Sequence, residues 1–434
     1  MDSTVEKVMV ARKASIGLAN LSTTAKNRAL FEVAKALQAN RKIILKANRA
    51  DVRAAGKAGL SKVLIKRLDL SDDKISELVR SVRSVERLED PVGRTLEKTE
   101  LDRNLVLHKV SCPIGVIGVI FESRPEVGIQ VASLCLKSGN AVILKGGSEA
   151  KRSNRLLYEI MRAASERAGL PRGWVQLLES REEVSRMLRL NEHINLVIPR
   201  GSNRFVKYVQ AHTKIPVLGH SEGVCHAYVD SGANLKKAWD VCLDAKVQYP
   251  AVCNAIETLL VHRDIAPVFL PEMAARYAEH GVEIRGDSIT RHLLKGFKVR
   301  KALEKDWRTE YNDLIISVKV VRDIDEAVEH INSYGSGHTD MIMTEDGKAA
   351  QKFLSFVDSS SVMRNCSTRF ADGFRYGLGT EVGISTNKIH ARGPVGLEGL
   401  TIYKYLLLGD GQIVADYVGK NARKYTHRKL KAGS

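Results

Sequence analysis

The sequence predicts an α/β protein: a doubly wound parallel sheet, a second α/β unit after it, and a short β-prone segment near the C-terminus. Three observations predict this. Short runs such as 114–121 and 141–145 are apolar throughout, which marks strands covered on both faces. Helical patterns lie between them, and strands that alternate with helices assemble into parallel sheets. The alternation starts again near Val224, after the first series has ended.

The first hundred residues read as helices. Ser22-Thr-Thr caps a run through Ala39, and Ser71-Asp-Asp caps one over 74–87, because a short hydroxyl side chain accepts from an otherwise orphaned backbone N–H of the first turn. Pro91-Val-Gly93 ends this block, and a strand over 105–110 follows. The strand at 114–121 leads through a polar turn to a helix over 127–137. The strand at 141–145 leads through Gly146-Gly147 to a helix over 149–168, and strands at 174–178, 195–198 and 215–218 continue the series. The second unit contains a helix over 235–246, a loop around Cys253 and a strand at 258–261. A helix over 267–280, a strand at 314–321 and a helix over 324–334 complete most of it. After Gly399 the run 400–408 is apolar and β-prone, and too apolar to lie exposed, so it is expected to pair across a subunit boundary in a homo-oligomer. The basic run 420–431 is expected to be a solvated terminus.

A chain of 434 residues with 44% apolar and 27% charged residues has the composition of a globular protein of two or three domains. No apolar run approaches the roughly 20 residues that span a bilayer, and the N-terminal residues show no signal-peptide pattern, so a cytoplasmic protein with no membrane association is expected. The net charge of +18 favours anionic partners. Nucleic acid is not the expected one: aromatics are only 6% of the chain and do not interleave the dispersed basic residues. The six cysteines show neither a CxxC pair nor metal-ligand spacing with histidine, so no metal is expected. Cys135, Cys225 and Cys242 lie in apolar runs and read as buried thiols.

Cys253 is different. Pro250 stops the preceding helix, and the cysteine falls in a short loop before an apolar strand. A thiol there is oriented, and its own amide and Asn254 are candidates to face a developing oxyanion. Cys366, in the loop Arg364-Asn-Cys-Ser-Thr-Arg369, is its one serious rival on local grounds. The first sheet lacks GxGxxG but has two strand-to-helix turns with small residues, Lys145-Gly-Gly-Ser148 and Pro199-Arg-Gly201-Ser202, where backbone can approach a phosphate. Lys145, with no acidic residue three positions on, suits a 2′-phosphorylated ribose.

These segments resemble the aldehyde dehydrogenase superfamily and, within it, the γ-glutamyl phosphate reductases, also called glutamate-5-semialdehyde dehydrogenases. The resemblance rests on Pro113-Ile-Gly-Val-Ile-Gly-Val-Ile-Phe-Glu-Ser-Arg-Pro125, Leu196-Val-Ile-Pro-Arg-Gly-Ser202, Ile215-Pro-Val-Leu-Gly-His220, Gly223-Val-Cys-His226 and Val252-Cys-Asn254. Ser367-Thr-Arg-Phe-Ala-Asp-Gly373 and His390-Ala-Arg-Gly-Pro-Val-Gly-Leu-Glu398 complete it. Cys366 and Thr380 depart from the family wording, which has alanine at both positions.

The resemblance implies an aldehyde-dehydrogenase-like fold. Residues 1–98 and 111–222 would form the NADP-binding domain, 223–398 the catalytic domain, 99–110 and 399–415 the oligomerisation strands of a small β-flap, and 416–434 a basic tail. It implies Cys253 as nucleophile, Lys145 and Ser148 at the adenosine ribose, Gly201 and Ser202 near the pyrophosphate, and Glu310 at the nicotinamide ribose. Leu218 falls where hydrolytic members carry a glutamate base. The implied reaction is NADPH-dependent reduction of γ-glutamyl phosphate to glutamate 5-semialdehyde, the second step of proline biosynthesis. Arg124 and Arg369 are candidates for the substrate carboxylate and phosphate, since guanidinium binds either group bidentately. The wording is nearest the reductase half of bifunctional enzymes. The kinase half has no counterpart in this chain, so a free-standing reductase fed by a separate glutamate 5-kinase is expected. A CoA-acylating or hydrolytic aldehyde dehydrogenase would keep the same thiol, although Leu218 speaks against hydrolysis. A catalytically dead scaffold would be expected to lose the cysteine loop, which is intact.

Overall fold

The computed structural model describes residues 3–220 and 222–431. The ends of the predicted N-terminal domain and basic tail, residues 1–2 and 432–434, lie outside the described residues. The chain divides into two compact units, Met1–Leu218 with Leu378–Val382 and Val395–Ser434, and Gly219–Gly377 with Gly383–Pro394.

In the first unit, five helices precede any strand, and the predicted caps are present. Ser22 Oγ accepts from Ala25 N at the start of Thr23–Ala39, and Ser71 Oγ accepts from Lys74 N. The second of these helices begins at Asp72, two residues before the expected start, because Asp72 and Asp73 suit the positive end of the helix dipole. Val175–Leu177, Ala141–Lys145, Val116–Phe121 and Leu196–Arg200 lie side by side in that order, all parallel. The strand expected at 215–218 is reduced to one bridge, Val197 to Val217. Val197 N donates to Pro216 O and Leu218 N to Val197 O, and Pro216 has no N–H to extend the ladder. Asn140 ties this sheet to the start of the C-terminal strand: it accepts from Gly115 N and donates to Leu400 O, each at 2.8 Å.

A second, antiparallel sheet in the same unit has the order Thr401–Leu408, Leu105–Pro113, Thr95–Asp102, Arg428–Leu430. The C-terminal strand therefore pairs with its own chain, Thr401 opposite Pro113 through Leu408 opposite Val106. It is nevertheless the edge strand, and Ile402, Leu406, Leu407 and Leu408 are exposed. The tail departs from the solvated terminus expected of it. Arg428–Leu430 pairs with Thr95–Asp102, Arg428 bridges Glu100 at 2.8 Å, and Lys429 bridges Glu97 at 3.0 Å. The acidic residues of Thr95–Asp102 explain both facts: they hid that strand from a pattern of apolar residues, and they give the basic tail its partner. Hydrogen bonds from Lys109 and Lys429 pull the Glu97 carboxyl down to about 2.

The second unit is a seven-stranded parallel sheet, ordered Val299–Lys301, Glu283–Gly286, Ile315–Val321, Ile256–His262, Cys225–Val229, Thr339–Met343, Ser361–Arg364. Four of these strands were not expected: three of them are only three or four residues long, and Thr339–Met343 carries a charge in its interior. That charge, Asp340, is fully buried and accepts from His226 N at 2.7 Å, with His226 Nδ1 2.8 Å away. The helix Ala266–Glu279 continues through Pro271.

Candidate active site

Cys253 sits where the sequence placed it, in the loop between the helix Leu235–Val247 and the strand Ile256–His262. Two contacts fix its backbone. Cys225 Sγ donates to Cys253 O at 3.1 Å, and burial keeps the Cys225 thiol protonated by pushing its pKa well up. Gly223 lies directly beneath: a Cβ there would fall 2.2 Å from Cys253 O and 2.7 Å from its Cα, so only glycine lets the two segments approach. The loop's far side is held by Thr368 Oγ1, which donates to Asn254 O at 2.6 Å.

Asn254 is buried, and its amide nitrogen donates to Ala371 O at 2.9 Å. One of its donors is thus committed to holding the loop against 368–371. Arg369 is 8% exposed, and its Nε donates to Gln248 Oε1 at 3.0 Å. Burial, then Arg375, weaken its hold on the proton, while Cys253, Asp244 and Asp372 strengthen it. The structure therefore brings Cys253, Asn254 and Arg369 together. Cys366 packs against the apolar core of this unit, and burial pushes its thiol up.

Two histidines, not singled out as site residues from sequence, join the thiol. A ring nitrogen of His220, a ring nitrogen of His338 and Cys253 Sγ all lie within 4.8 Å of one another. The histidine rings meet edge to face, 4.9 Å between centroids. Positions 220, 253 and 338 are far apart in the chain, so spacing could not reveal them. Topology does. Each precedes a strand, Cys225–Val229, Ile256–His262 or Thr339–Met343, and these are neighbours in a parallel sheet, so all three lie along its amino edge.

A buried pair closes the base of the loop. Lys246 Nζ and Glu257 Oε2 are 2.6 Å apart, with both side chains almost wholly buried. Glu257 Oε1 also accepts from Asn312 N at 3.1 Å. Desolvation dominates both groups: it pushes Glu257 up to about 7 in spite of Lys246, and pulls Lys246 down. Glu310 is half-buried in this same unit and is among the charges that raise Glu257.

The remaining candidates belong to the first unit and follow the carboxyl ends of its parallel strands, the edge where doubly wound sheets bind ligands. Arg124 is exposed at the start of the helix Pro125–Lys137, and Lys145 ends the strand Ala141–Lys145 half-buried. Burial lowers the Lys145 pKa, and Glu149 opposes that. Both small-residue turns are occupied by carboxylates. Ser202 N donates to Glu122 Oε2 at 2.8 Å, and a Cβ on Gly201 would sit 2.4 Å from that oxygen. Glu149 Oε1 accepts from Ser123 N and Oγ, and a Cβ on Gly147 would meet it at 2.0 Å. Ser148 is exposed and lines a groove of about 810 Å³ with Lys151 and Arg152 on one side and Ala54, Ala58 and Leu60 on another. Asp51, Glu149 and Glu159 line it as well, and Arg152 is 3.5 Å from Asp51, while the apolar wall and hydroxyl are of the kind that an adenosine takes. Lys151 and Arg152 did not stand out in the sequence because they read as an ordinary polar helix face.

Lys246→Met is expected to destabilise the protein increasingly as pH rises above about 7, toward roughly 3–5 kcal/mol once the carboxylate it strands would be ionised in the intact protein. The sign with pH follows from linkage. A carboxyl whose pKa is raised by folding keeps its proton in the folded state after the unfolded chain has lost it, so stability falls as pH rises. In the intact protein that loss is complete near pH 7, where Glu257 ionises. In the variant it continues above 7 at up to about 1.4 kcal/mol per pH unit. Urea denaturation at pH 6, 7 and 8 measures it, and a pH-independent difference between the two proteins would contradict the assignment.

The aldehyde dehydrogenase family model matches residues 2–290. A γ-glutamyl phosphate reductase of Methanosarcina mazei is 59% identical over 432 residues, 98% of this chain and 97% of that one. The solved structure of γ-glutamyl phosphate reductase from Thermotoga maritima superposes with a TM-score of 0.93 at 44% identity, covering 95% of this chain and all of that one. An acetylating aldehyde dehydrogenase from Geobacillus thermoglucosidasius, 17% identical with a TM-score of 0.66 over 95% of this chain and 97% of its own, shares the fold. The chain belongs to the aldehyde dehydrogenase family and, within it, to the γ-glutamyl phosphate reductases.

Proposed function

We propose that the chain reduces L-glutamyl 5-phosphate to L-glutamate 5-semialdehyde with release of phosphate, as the second step of proline biosynthesis from glutamate. The observation that carries this is the pinned Cys253 loop with Arg369 beside it, in a chain so close to named γ-glutamyl phosphate reductases. Cys253 attacks the acyl carbonyl and expels phosphate, leaving a thioester. The amide of Cys253, with Asn254 behind it, faces the developing oxyanion. Arg369 and Arg124 are the guanidinium groups for the substrate's carboxylate and phosphate. After reduction, the thiohemiacetal on Cys253 collapses to the aldehyde and returns the thiol. The aldehyde then cyclises spontaneously to pyrroline-5-carboxylate.

The cofactor is NADPH, which supplies the hydride. Ser148 and Lys145 would hold the adenosine ribose, with Lys151 and Arg152 beside them on the groove wall. Gly201 and Ser202 would take the pyrophosphate once Glu122 gives up the Ser202 amide, and Glu310 would take the nicotinamide ribose. A separate glutamate 5-kinase supplies the acyl phosphate. The exposed apolar edge strand Thr401–Leu408 is the surface on which a second copy assembles.

Glutamate 5-semialdehyde, phosphate and NADP, run in the reverse direction, are expected to yield reduced cofactor only when phosphate is present; cofactor reduction without phosphate would point to hydrolysis instead. Cys253→Ser should lower this rate by roughly a thousandfold or more while the fold persists, because a hydroxyl is a far poorer nucleophile than a thiolate. Cys366→Ala should keep most of it; the opposite pattern would reassign the nucleophile.

Lys145→Ala should weaken NADPH binding by about 1.5–3 kcal/mol and NADH binding by less, as read by fluorescence titration. Equal losses would transfer recognition of the 2′-phosphate to Lys151 and Arg152.

Sedimentation velocity of the intact chain should show a dimer or larger assembly at micromolar concentration, and Leu406→Asp, which charges the exposed edge, should dissociate it. A monomeric intact chain would end the assembly proposal.

A further inference from the structure

We propose that His220 is the acid–base partner of Cys253: its Nε2 takes the Sγ proton as the thiol attacks and delivers it to the departing phosphate oxygen. This rests on the thioester reading above and adds to it the group that moves the proton.

The geometry distinguishes His220 from its neighbour. His220 Nδ1 lies 2.8 Å from Ile384 O, and a carbonyl oxygen only accepts. Nδ1 therefore carries the hydrogen, and in the neutral ring the lone pair is on Nε2. A base whose second nitrogen is oriented by a fixed acceptor is the arrangement that nucleophilic catalysis requires. The ring lies within 4.8 Å of Cys253 Sγ, a gap that a small rotation of the thiol or one water closes as substrate binds.

His338 is as near but cannot do this work. It is fully buried, and desolvation and His220 together pull its pKa well below the ordinary histidine value, so it stays neutral. Its Nδ1 is 2.9 Å from Thr339 Oγ1 and 3.6 Å from Cys225 Sγ. It serves as a wall that fixes the His220 ring edge to face. Among the described residues, the cluster around the thiol contains no carboxylate. The titratable and charged groups around it include His220, His338, Cys225 and Arg369, with Asp340 and Glu257 acting on Cys225 from the adjoining strands and Asp244, Asp372 and Arg375 acting on Arg369.

The step balances. The S–H bond breaks and its proton goes to His220 Nε2; sulfur's electron pair forms the S–C bond; the C–O bond to phosphate breaks; and the imidazolium proton passes to the leaving oxygen, so that hydrogen phosphate departs and His220 is neutral again. When the aldehyde later forms, the expelled thiolate takes a proton from solvent.

The test measures alkylation of Cys253 by iodoacetamide against pH, followed on the Cys253 peptide by mass spectrometry, in the intact protein and in His220→Gln and His220→Ala. Both variants are expected to react more slowly at neutral pH, with the profile's midpoint moved up by about one unit or more, and to lose roughly 10²- to 10⁴-fold in the phosphate-dependent reverse rate. Added imidazole should restore part of that rate in His220→Ala but not in His220→Gln, where the cavity is filled. An unchanged alkylation profile together with an intact rate in either folded variant, or lost rate with no imidazole rescue and no shift in the profile, would overturn the role of His220. Absence of phosphate-dependent turnover in the unmodified protein, with the alkylation shift still present, would overturn the reaction but not the proton transfer.

Discussion

The geometry at the thiol depends on the closure of one loop at its base. Lys246 ends a helix and Glu257 begins a strand, and the 2.6 Å contact between them joins the two ends of the segment that carries Cys253. Burying two charges costs several kcal/mol each, and their attraction recovers that only with good geometry and further hydrogen bonds. Asn312 N supplies one such bond. An apolar pair would close the same loop at lower cost. The ion pair adds direction: a carboxylate that also accepts from Asn312 links the cysteine loop to the segment carrying Glu310.

Inside the closed loop, neutral groups do most of the positioning. Gly223 removes a side chain so that backbone can touch backbone, and the Cys225 thiol, kept protonated by burial, donates to the Cys253 carbonyl. Neutral contacts leave the electrostatics around Sγ to Arg369 and the histidines. In a medium of low dielectric a single half-paired cation counts for much more than in water.

Much of this was legible in the sequence, and the rest was illegible for definite reasons. Runs of one chemical character announced themselves: the apolar strands of the first sheet, the Ser22 and Ser71 caps, and the Pro250 stop before Cys253. Elements that trade apolar residues for paired charges did not. Thr95–Asp102 reads as a polar segment until its partner Arg428–Leu430 is seen, and Thr339–Met343 conceals a strand behind Asp340, whose partner His226 is over a hundred residues away. The site shows the same division. Cys253 and Arg369 were singled out through local wording and resemblance, whereas the proximity of His220 and His338 is produced by strand order alone.

That strand order gives the two units opposite roles. In the first, the candidate residues follow the carboxyl ends of parallel strands, where helix N-termini and small residues gather and where dinucleotides usually bind. In the second, the thiol and both histidines precede the strands and line the amino edge, where backbone N–H groups of the first strand residues point outward. An amino edge offers backbone donors, which suit the sulfur and the acyl oxygen of the proposed reaction. Placing the base among these donors as a histidine, held by the Ile384 carbonyl rather than by a carboxylate, adds no fixed negative charge to the thiol's own cluster. A carboxylate base would compete with the thiolate for the same field and would raise the sulfur's pKa. The imidazole accepts a proton without this cost, because it is neutral when the thiolate is absent and positive when the thiolate is present.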